Sequence, residues 1–446
     1  MSLFGICEEC NQENTGSNWC KACNAKRFQQ NFENWTSGNN NDIDKFIQDT
    51  QSSATKRSEV LEWIPYNKFY DIQYIAKGGF GKVYRAKWID GYIFKWDNEN
   101  QNWSRYPNMF VALKSLNNSE NVKLEFINEI KLHNKIGRET FVVIAYGITQ
   151  DPETKNYIMV LEYAENGSLR NYLIKSYSEL NWENKLQYLA NIASGLLKIH
   201  KNELTHRDLH IGNVLISDIA IITDMGLCKP ADYKESESAK NKIYGVLPYI
   251  APEILRGQNY TKASDIYSFG IVMYEVISGL PPYHDVSHDI NLSIKICQGL
   301  RPRFNIKVPQ LIVHLIKRCL DANPLNRPTA NEIKEILDKW RHEVFLSETE
   351  LQKQIEEARE INHSLPTSSI PSTNLGLTYE THSEAVYTSR LLNFNNLPEP
   401  KNSDDYYDER NDNIISEKFS ESLQIDISQL KISDADETKS GEEMIE

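Results

Sequence analysis

Residues 205–215 read THRDLHIGNVL, and residues 222–226 read ITDMG. A helical pattern precedes them, because apolar side chains over 182–200 recur every three or four residues. A second pattern, over 265–277, is apolar on nearly every face and stops before Gly279. A helix that is apolar on every side has no polar face to expose to solvent, so it is stable only when it is buried on all sides. We therefore expect 265–277 to be a buried helix at the centre of a mainly helical region.

Upstream of this region the pattern changes to short strand-like stretches. They cover 70–76, 82–88, 109–116, 142–148 and 157–162. Each is bounded by glycine or polar residues and is too short for an average helix. The chain from 69 to 345 therefore reads as a small sheet-rich part followed by a larger helical part.

Two features of the strand region point to phosphate chemistry. Residues 77–83 read KGGFGKV between two predicted strands, although a glycine cluster alone fits any tight turn. Lys114 ends the apolar run VALK, where a lone ammonium would be costly to bury. Glu129 lies near the apolar stripe of a predicted helix and can supply the anionic partner. The pair is either a structural ion pair or a device that positions phosphate.

These motifs, together with IAPE at 250–253, resemble those of the eukaryotic protein kinases. The resemblance covers roughly residues 69–341, and the joint order and spacing of the motifs is highly specific. The spelling of 205–215 is similar to that of the tyrosine-kinase-like group, as found in fungi. The resemblance implies an α+β, bilobal fold with a five-stranded antiparallel sheet and one helix in the small lobe and a larger, mainly helical lobe.

The same resemblance implies transfer of the γ-phosphoryl group of ATP to Ser/Thr hydroxyls of protein substrates in intracellular signalling. Asp208 would orient the substrate hydroxyl, and Asn213 and Asp224 would hold Mg²⁺ through hard oxygen ligands. The implied catalytic set is Asp208, Lys114, Glu129, Asn213 and Arg207. The implied ATP contacts are Ile75, Ala76, Gly78, Gly79, Phe80, Gly81, Val83, Ala112, Lys114, Leu161, Glu162, Ala164, Leu215 and Asp224.

Further matches are architectural or regulatory. Glu253 with Arg327 resembles a buried ion pair of the family, and Asp265 resembles the residue that braces the catalytic loop. Arg207 resembles the acceptor for a phosphate on the activation segment. The candidate sites for that phosphate are Tyr233, Ser236, Ser238 and Tyr244.

Four departures from the family pattern motivate a rival reading. They are Ala76 for the first glycine, Met225 for phenylalanine, His210 for lysine and Val246 for threonine. A neutral imidazole at His210 lacks the fixed charge of lysine. Val246 weakens the assignment of the acceptor residue. The alternative is a pseudokinase scaffold that binds nucleotide without turnover.

Four cysteines near the N-terminus suggest a metal site over residues 1–32. Two CxxC pairs can present four thiolates tetrahedrally to a structural Zn²⁺, the alternative being four unligated thiols. The paired cysteines are Cys7, Cys10, Cys20 and Cys23. A third hypothesis makes this module a recognition finger for a partner such as ubiquitin or RNA, with slight support from Lys21, Lys26 and Arg27 near Trp19.

Two polar stretches separate or interrupt these parts. Residues 33–68 read as a linker with one short helix, and we expect little core over 33–58. Between Val83 and Lys114 the chain is longer than the family norm and carries scattered aromatic residues. This insert reads as an extended hairpin whose aromatic side chains pack across strands. Cys228 reads as a small buried hydrophobe.

The charge is unevenly distributed. The whole chain has a formal charge of −13, and residues 346–446 hold 8 Lys+Arg against 22 Asp+Glu. The body is therefore near neutral, which argues against general nucleic-acid binding. Apart from a short helical stretch at 351–358, residues 346–446 read as a mostly disordered tail. No apolar run suits a transmembrane helix and no signal peptide is recognisable, so we expect a cytoplasmic protein.

Overall fold

The computed structural model describes residues 4–37, 41–77, 81–116, 124–136, 141–233, 243–364, 380–394 and 396–404. The chain forms an α+β structure with a sheet-rich lobe and a helical lobe, as predicted. Before the sheet-rich lobe come α1 (Lys21–Gln30), α2 (Asn41–Ser53) and β1 (Glu62–Trp63).

The small lobe is built on one sheet and one helix. Its elements are β2 (Phe69–Lys77), β3 (Gly81–Trp88), β4 (Tyr92–Asp97), β5 (Asn102–Tyr106), β6 (Met109–Leu116), α3 (Leu124–Ile136), β7 (Ala145–Gln150) and β8 (Tyr157–Glu162). The sheet order is β1-β7-β8-β6-β3-β2. Strands β2, β3, β6, β8 and β7 form the predicted five-stranded antiparallel sheet. The short strand β1 adds a sixth, parallel to β7.

The large lobe is mainly helical. Its elements are α4 (Leu169–Ser176), α5 (Trp182–Lys201), β9 (Leu204–Thr205), β10 (Val214–Ile216), β11 (Ala220–Ile222), β12 (Lys229–Pro230), β13 (Ile243–Gly245), α6 (Pro252–Leu255), α7 (Lys262–Ser278), α8 (Ile290–Cys297), α9 (Gln310–Cys319) and α10 (Ala330–Glu343). Thr261 and Ser264 form a capping box at the start of α7, and Gly279 ends it at φ 71°. The helix is buried along almost its whole length, which confirms the prediction of a central buried helix.

The segment before the small lobe contains more core than predicted. Ile43 and Ile47 on α2 are fully buried in one apolar cluster with Phe126 and Ile130 of α3. The expectation of little core over 33–58 is therefore wrong. Its few apolar residues lie on one face of a helix, and that face packs on another part of the chain.

The insert between β3 and β6 forms the predicted hairpin, β4–β5. Trp96 and Trp103 pair across its strands edge to face, with ring centroids 5.1 Å apart. Trp103 also stacks on Phe28 of α1 and on Trp19, with centroids 4.7 Å and 5.8 Å away. The insert therefore attaches the N-terminal residues to the small lobe through aromatic packing.

Two parts of residues 346–446 are folded; the first was predicted as a helical stretch, and only the second corrects the prediction of a mostly disordered tail. Helix α11 (Glu350–Ser364) buries the apolar residues of the predicted helical stretch, Leu351, Ile355 and Ala358. Residues 380–394 and 396–404, the C-terminal segment, lie on the large lobe and include β14 (Arg390–Leu392). Composition indicated only that the tail cannot fold alone, whereas these residues bury their apolar side chains on a folded lobe. Tyr406 and Tyr407 lie outside the described residues.

Candidate active site

The loop between β9 and β10 carries the central carboxylate. Asp208 is buried, and Asn213 donates from Nδ2 to the Asp208 main-chain oxygen at 3.0 Å and to its Oδ2 at 3.3 Å. The amide of Asn213 therefore fixes the orientation of the Asp208 side chain, and its own oxygen remains as the atom that could ligate a cation.

The loop is held in place from below by α7. The Asp265 carboxylate accepts the main-chain N–H groups of His206 at 2.8 Å and Arg207 at 2.9 Å, and it lies 2.9 Å from His200 Nε2. Burial opposes ionisation of Asp265, but these partners outweigh it and lower the pKa of the carboxyl. Arg207 has φ 71°, an uncommon conformation for a residue with a side chain. The predicted bracing role of Asp265 agrees with this geometry.

A second cluster brings together strand β6, helix α3 and the loop after β11. Lys114 Nζ donates to Glu129 Oε1 at 2.7 Å and to Asp224 Oδ1 at 3.0 Å. These residues are 15 and 110 positions from Lys114 in sequence. The structure therefore joins three of the predicted site residues in one ion-paired network.

Burial and charge act against each other in this cluster. Burial favours neutral Lys114, but Asp224 and Glu129 outweigh it and hold the pKa of the lysine above its ordinary value. Burial raises the pKa of Glu129, and Lys114 lowers the pKa of Asp224 despite burial. A fixed ammonium beside an ionised Asp224 suits binding of phosphate and of a hard cation.

Most of the predicted ATP contacts lie on or next to strands of the small lobe, whereas Leu215 and Asp224 belong to the large lobe. Ala76 on β2 pairs with Val83 on β3, and Ala112 on β6 pairs with Leu161 on β8. The three apolar side chains expected to sandwich a base are half-buried: Val83, Ala112 and Leu215. The other residues expected around the nucleotide lie on β2, at the start of β3, at the end of β8 and just beyond β8: Ile75, Gly81, Glu162 and Ala164. Gly78, Gly79 and Phe80 lie outside the described residues.

The large lobe contains the predicted ion pair. Arg327 donates from Nη1 and Nη2 to the two carboxylate oxygens of Glu253 at 2.6 Å and 2.7 Å, and both residues are buried. This forked geometry is among the strongest polar contacts in proteins. The pair fixes α6 to the loop before α10.

Arg207, for which a regulatory role is predicted, has aromatic neighbours. The Arg207 guanidinium lies over the rings of Tyr233 and Tyr260, at 5.2 Å and 5.0 Å from their centroids. Tyr244 lies in β13, whereas Ser236 and Ser238 lie outside the described residues. The role of Arg207 as a phosphate acceptor stays a prediction.

Cys228 is buried beside Met225, as predicted for a small hydrophobe.

One functional contact was missed by reasoning from sequence. Ser389 Oγ in the C-terminal segment donates to Asp208 Oδ2 at 2.7 Å, and His210 Nε2 lies 3.2 Å from Ser389 Oγ. Ser389 is 181 residues from Asp208 and lies in a polar stretch that matches no motif. Nothing in the local sequence marks it, because only the path of the folded chain brings it to the site.

The four N-terminal cysteines converge on one point. Their sulfur atoms all lie within 4.8 Å of one another, with Cys7 to Cys23 at 3.8 Å and Cys10 to Cys20 at 3.6 Å. Burial and neighbouring thiols raise the pKa of Cys23, whereas main-chain N–H groups of Cys10 and Glu9 lower that of Cys7 to about 7 against the effect of burial. Four sulfurs about 2.3 Å from one zinc ion would be roughly 3.8 Å apart, so the set fits that ion.

The surface proposed for recognition is partly occupied, because Trp19 and Arg27 have partners in this chain while Lys21 and Lys26 are exposed. Trp19 is buried, and its indole N–H donates to the Ala54 carbonyl at 3.1 Å. Arg27 pairs with Glu9 and lies 4.4 Å over the Trp96 ring. These contacts attach the cysteine module to the small lobe and do not favour its use as a separate recognition finger.

Comparisons with known proteins agree with this geometry. The chain is 29% identical over 321 residues to the probable serine/threonine-protein kinase roco5 of Dictyostelium discoideum, covering 65% of this chain and 10% of that protein. It is 28% identical over 274 residues to the tyrosine-protein kinase SPK-1 of Girardia tigrina, covering 59% of this chain and 51% of that protein. It is 26% identical over 287 residues to the probable serine/threonine-protein kinase CST of Arabidopsis thaliana, covering 59% and 66%.

The matches to these relatives cover only part of their length. The chain spans a tenth of the first relative and about half of the second. Among the described residues, no helix is both long and apolar enough to cross a membrane. Residues 71–337 match the family described as protein tyrosine and serine/threonine kinase, which is more than half of the chain, and the protein therefore belongs to that family.

Proposed function

We propose that the protein transfers the γ-phosphoryl group of ATP to serine and threonine hydroxyls of proteins. The observation that carries the proposal is the seryl hydroxyl on Asp208, 2.7 Å from Oδ2, in the position that a substrate hydroxyl needs. A short seryl side chain reaches the carboxylate, which supports Ser/Thr over Tyr as acceptor. The acceptor assignment also draws on relatives whose names say serine/threonine-protein kinase.

The residues divide the chemistry among them. Lys114, held by Glu129, would pair with the α- and β-phosphates, while Asn213 and Asp224 would ligate Mg²⁺, which neutralises phosphate charge when bound. Asp208 would orient the attacking hydroxyl and take its proton. The buried ion pairs of Lys114 keep the ammonium charged and in place before nucleotide arrives.

The test compares catalysis with binding. Wild-type protein with Mg-ATP should phosphorylate a generic basic protein substrate, and Asp208→Asn should reduce the rate by about 10² to 10⁴, the contribution of a positioned base. Asp218→Asn, an exposed aspartate on the turn between β10 and β11, is the matched control and should behave as wild type. Nucleotide binding without any transfer by the wild type would instead support the pseudokinase reading suggested by Ala76, His210 and Val246.

We also propose that the Cys7, Cys10, Cys20 and Cys23 cluster binds a structural Zn²⁺. The sulfur spacing and the composition of the cluster, which among the described residues consists of these four cysteines, support a closed, tetrahedral site. The ion would hold the turn before α1 and so present Phe28 and Trp19 to Trp103. A metal analysis of the purified protein tests this, with one zinc ion per chain expected.

The finer classification and location are proposals of the same kind. We place the chain in the tyrosine-kinase-like group, of fungal type, on the spelling of residues 205–215. We propose a cytoplasmic location, since the seven cysteines are thiols in the structure and the ATP supply is intracellular. Imaging of a tagged full-length protein tests the location.

A further inference from the structure

The C-terminal segment lies where a peptide substrate would have to lie. Strand β14 pairs antiparallel with β13, joining Arg390 to Gly245, Leu391 to Tyr244 and Leu392 to Ile243. Strand β13 runs directly beside the catalytic carboxylate, because a Cβ built on Gly245 would be 3.5 Å from Asp208 Oδ1. Pairing with the edge of β13 therefore brings the residue before Arg390 to Asp208.

That residue is Ser389, and its hydroxyl is oriented by two groups. The Gly212 N–H donates to His210 Nδ1 at 3.0 Å, so in neutral His210 the proton is on Nε2. His210 Nε2–H can then donate to Ser389 Oγ at 3.2 Å, and the hydroxyl proton of Ser389 is directed to Asp208 Oδ2 at 2.7 Å. The hydroxyl proton of Ser389 thus points at the Asp208 carboxylate, and a lone pair on Oγ remains available for attack.

Flanking contacts fix the segment on both sides of Ser389. Arg170 donates from Nη1 to the Tyr387 carbonyl at 2.9 Å, and its guanidinium lies 4.9 Å from the centroid of the Tyr387 ring. Arg390 donates to the His288 carbonyl at 2.6 Å. Leu392 is buried in the core of the large lobe, with 4% of its surface exposed. Main-chain pairing, a cation–π contact and a buried leucine together define the register.

We propose that the C-terminal segment is an intramolecular substrate of this active site and that Ser389 is its phosphoacceptor. The proposal rests on the proposed kinase function and adds a modification site to it. Ser389 Oγ forms a bond to the γ-phosphorus of ATP, and the bond from that phosphorus to the bridging oxygen breaks. The electron pair leaves with ADP, and the hydroxyl proton passes to Asp208.

The segment also competes with other substrates. Because it is part of the same chain, its effective concentration at the groove is of the order of millimolar, far above that of a typical free peptide. Phosphorylation of Ser389 would place close to two negative charges beside Asp208. Repulsion between them should release the segment and open the groove to proteins in trans.

The experiment uses the full-length chain with Mg-ATP and maps phosphosites by mass spectrometry over time. Four proteins are compared: wild type, Asp208→Asn, Ser389→Ala and Thr388→Ala. Thr388 is the matched control, because it is the neighbouring hydroxyl and is exposed. A generic protein substrate is assayed in parallel, and the time course is repeated over a wide range of enzyme concentrations.

We expect phosphate at Ser389 in wild type and Thr388→Ala, at a first-order rate that does not depend on enzyme concentration. It should be absent in Asp208→Asn and Ser389→Ala. Transfer to the generic substrate without phosphate at Ser389, or a rate at Ser389 that rises with enzyme concentration, would overturn the intramolecular acceptor. Failure to phosphorylate either the generic substrate or the chain itself would instead refute the kinase function on which the proposal rests.

Discussion

The two segments that flank the kinase body are both polar in composition, yet they attach in different ways. Residues 4–68 attach to the small lobe by large apolar side chains, with Trp103 stacked on both Trp19 and Phe28. The C-terminal segment attaches by a short strand, a few side-chain contacts and one hydroxyl on Asp208. Aromatic burial gives a permanent attachment, whereas a strand pairing on an edge can be exchanged for another peptide. The first segment therefore stabilises the protein, whereas the second contacts the carboxylate of Asp208.

The largest expected effect comes from removing the metal ligands of the N-terminal segment. Cys20→Ser should abolish zinc binding and the protease resistance of residues 4–30, since structural zinc contributes on the order of 10 kcal/mol to small modules. Metal content and limited proteolysis measure this. Transfer to a generic substrate should change little, because this segment does not contact Asp208 in the described interactions.

The control for this change is another buried cysteine, Cys319→Ser in α9, which should keep its zinc. Equal zinc content in wild type and Cys20→Ser would contradict the assignment. A large loss of catalytic rate in Cys20→Ser, with residues 69–345 still folded, would show that the N-terminal segment also affects catalysis. The contrast between the two segments would then be wrong.

Next in size is the aromatic contact itself. Phe28→Ala removes a fully buried ring, and we expect a loss of about 3–5 kcal/mol in the free energy of unfolding of this region. Hydrogen exchange over residues 4–35 and 92–106 measures the loss. Phe4→Ala, an exposed phenylalanine of the same module, should leave the exchange unchanged. Equal effects of the two substitutions would mean that the stacked rings do not hold the segment.

A third prediction concerns the C-terminal segment. Leu392 is 4% exposed and its neighbour Leu391 is 59% exposed, so they form a matched pair. Leu392→Ala should weaken the attachment of the C-terminal segment to the large lobe by about 2–3 kcal/mol. This lowers the equilibrium constant for attachment at least tenfold. The KM for a peptide substrate should fall accordingly, with kcat little changed, because the peptide no longer competes with a tethered strand. Leu391→Ala should match wild type, and an unchanged KM in both would argue against competition.

The smallest effect is a pH dependence that connects the core to this segment. Tyr249 donates to Glu275 and accepts from Arg170 at 3.2 Å, and Arg170 in turn holds Tyr387. Burial raises the pKa of Glu275 to about 7, although Arg170 and Tyr249 oppose this. Because the folded-state pKa is raised, the proton on Glu275 contributes stability that is fully present below the unfolded value of 4.5 and is lost as pH rises through about 7.

Glu275→Gln keeps a neutral side chain and should remove this dependence. As pH rises from 4.5 to about 7, the free energy of unfolding of wild type should decrease relative to that of Glu275→Gln. The decrease should be at most about 1.4 kcal/mol per pH unit. Denaturant titrations at several pH values measure it. Glu335→Gln on the exposed face of α10 is the control. A constant difference across the range would contradict a raised pKa for Glu275.

Much of the fold and the site followed from local patterns. Strand and helix periodicity predicted the individual strands, α5 and the buried α7, while the antiparallel sheet was implied by the resemblance to protein kinases. The pairing of Lys114 with Glu129 was predicted, and the structure places Lys114 Nζ within 3.0 Å of a carboxylate oxygen of both Glu129 and Asp224. Such predictions succeed because a buried helix or an ion-paired lysine limits which residue types can occupy a position.

Local patterns were less informative outside the body. Composition led to the expectation that residues 33–58 contribute little core, which is wrong, and to the prediction that residues 346–446 cannot fold alone. Ile43, Ile47 and Leu397 bury against other parts of the chain. A polar segment with few apolar residues can fold when a partner surface is already present, and composition carries no information about that surface.

The sequence by itself determined the family, the residues at the centre of the site and the uneven distribution of charge. The tertiary structure alone decided that Trp103 packs on the cysteine module and that Ser389 lies on Asp208. The reason is the separation in sequence between the residues that come into contact. Motifs and periodicity report the demands of neighbours along the chain, whereas these two contacts join residues 84 and 181 positions apart and depend on how whole elements pack.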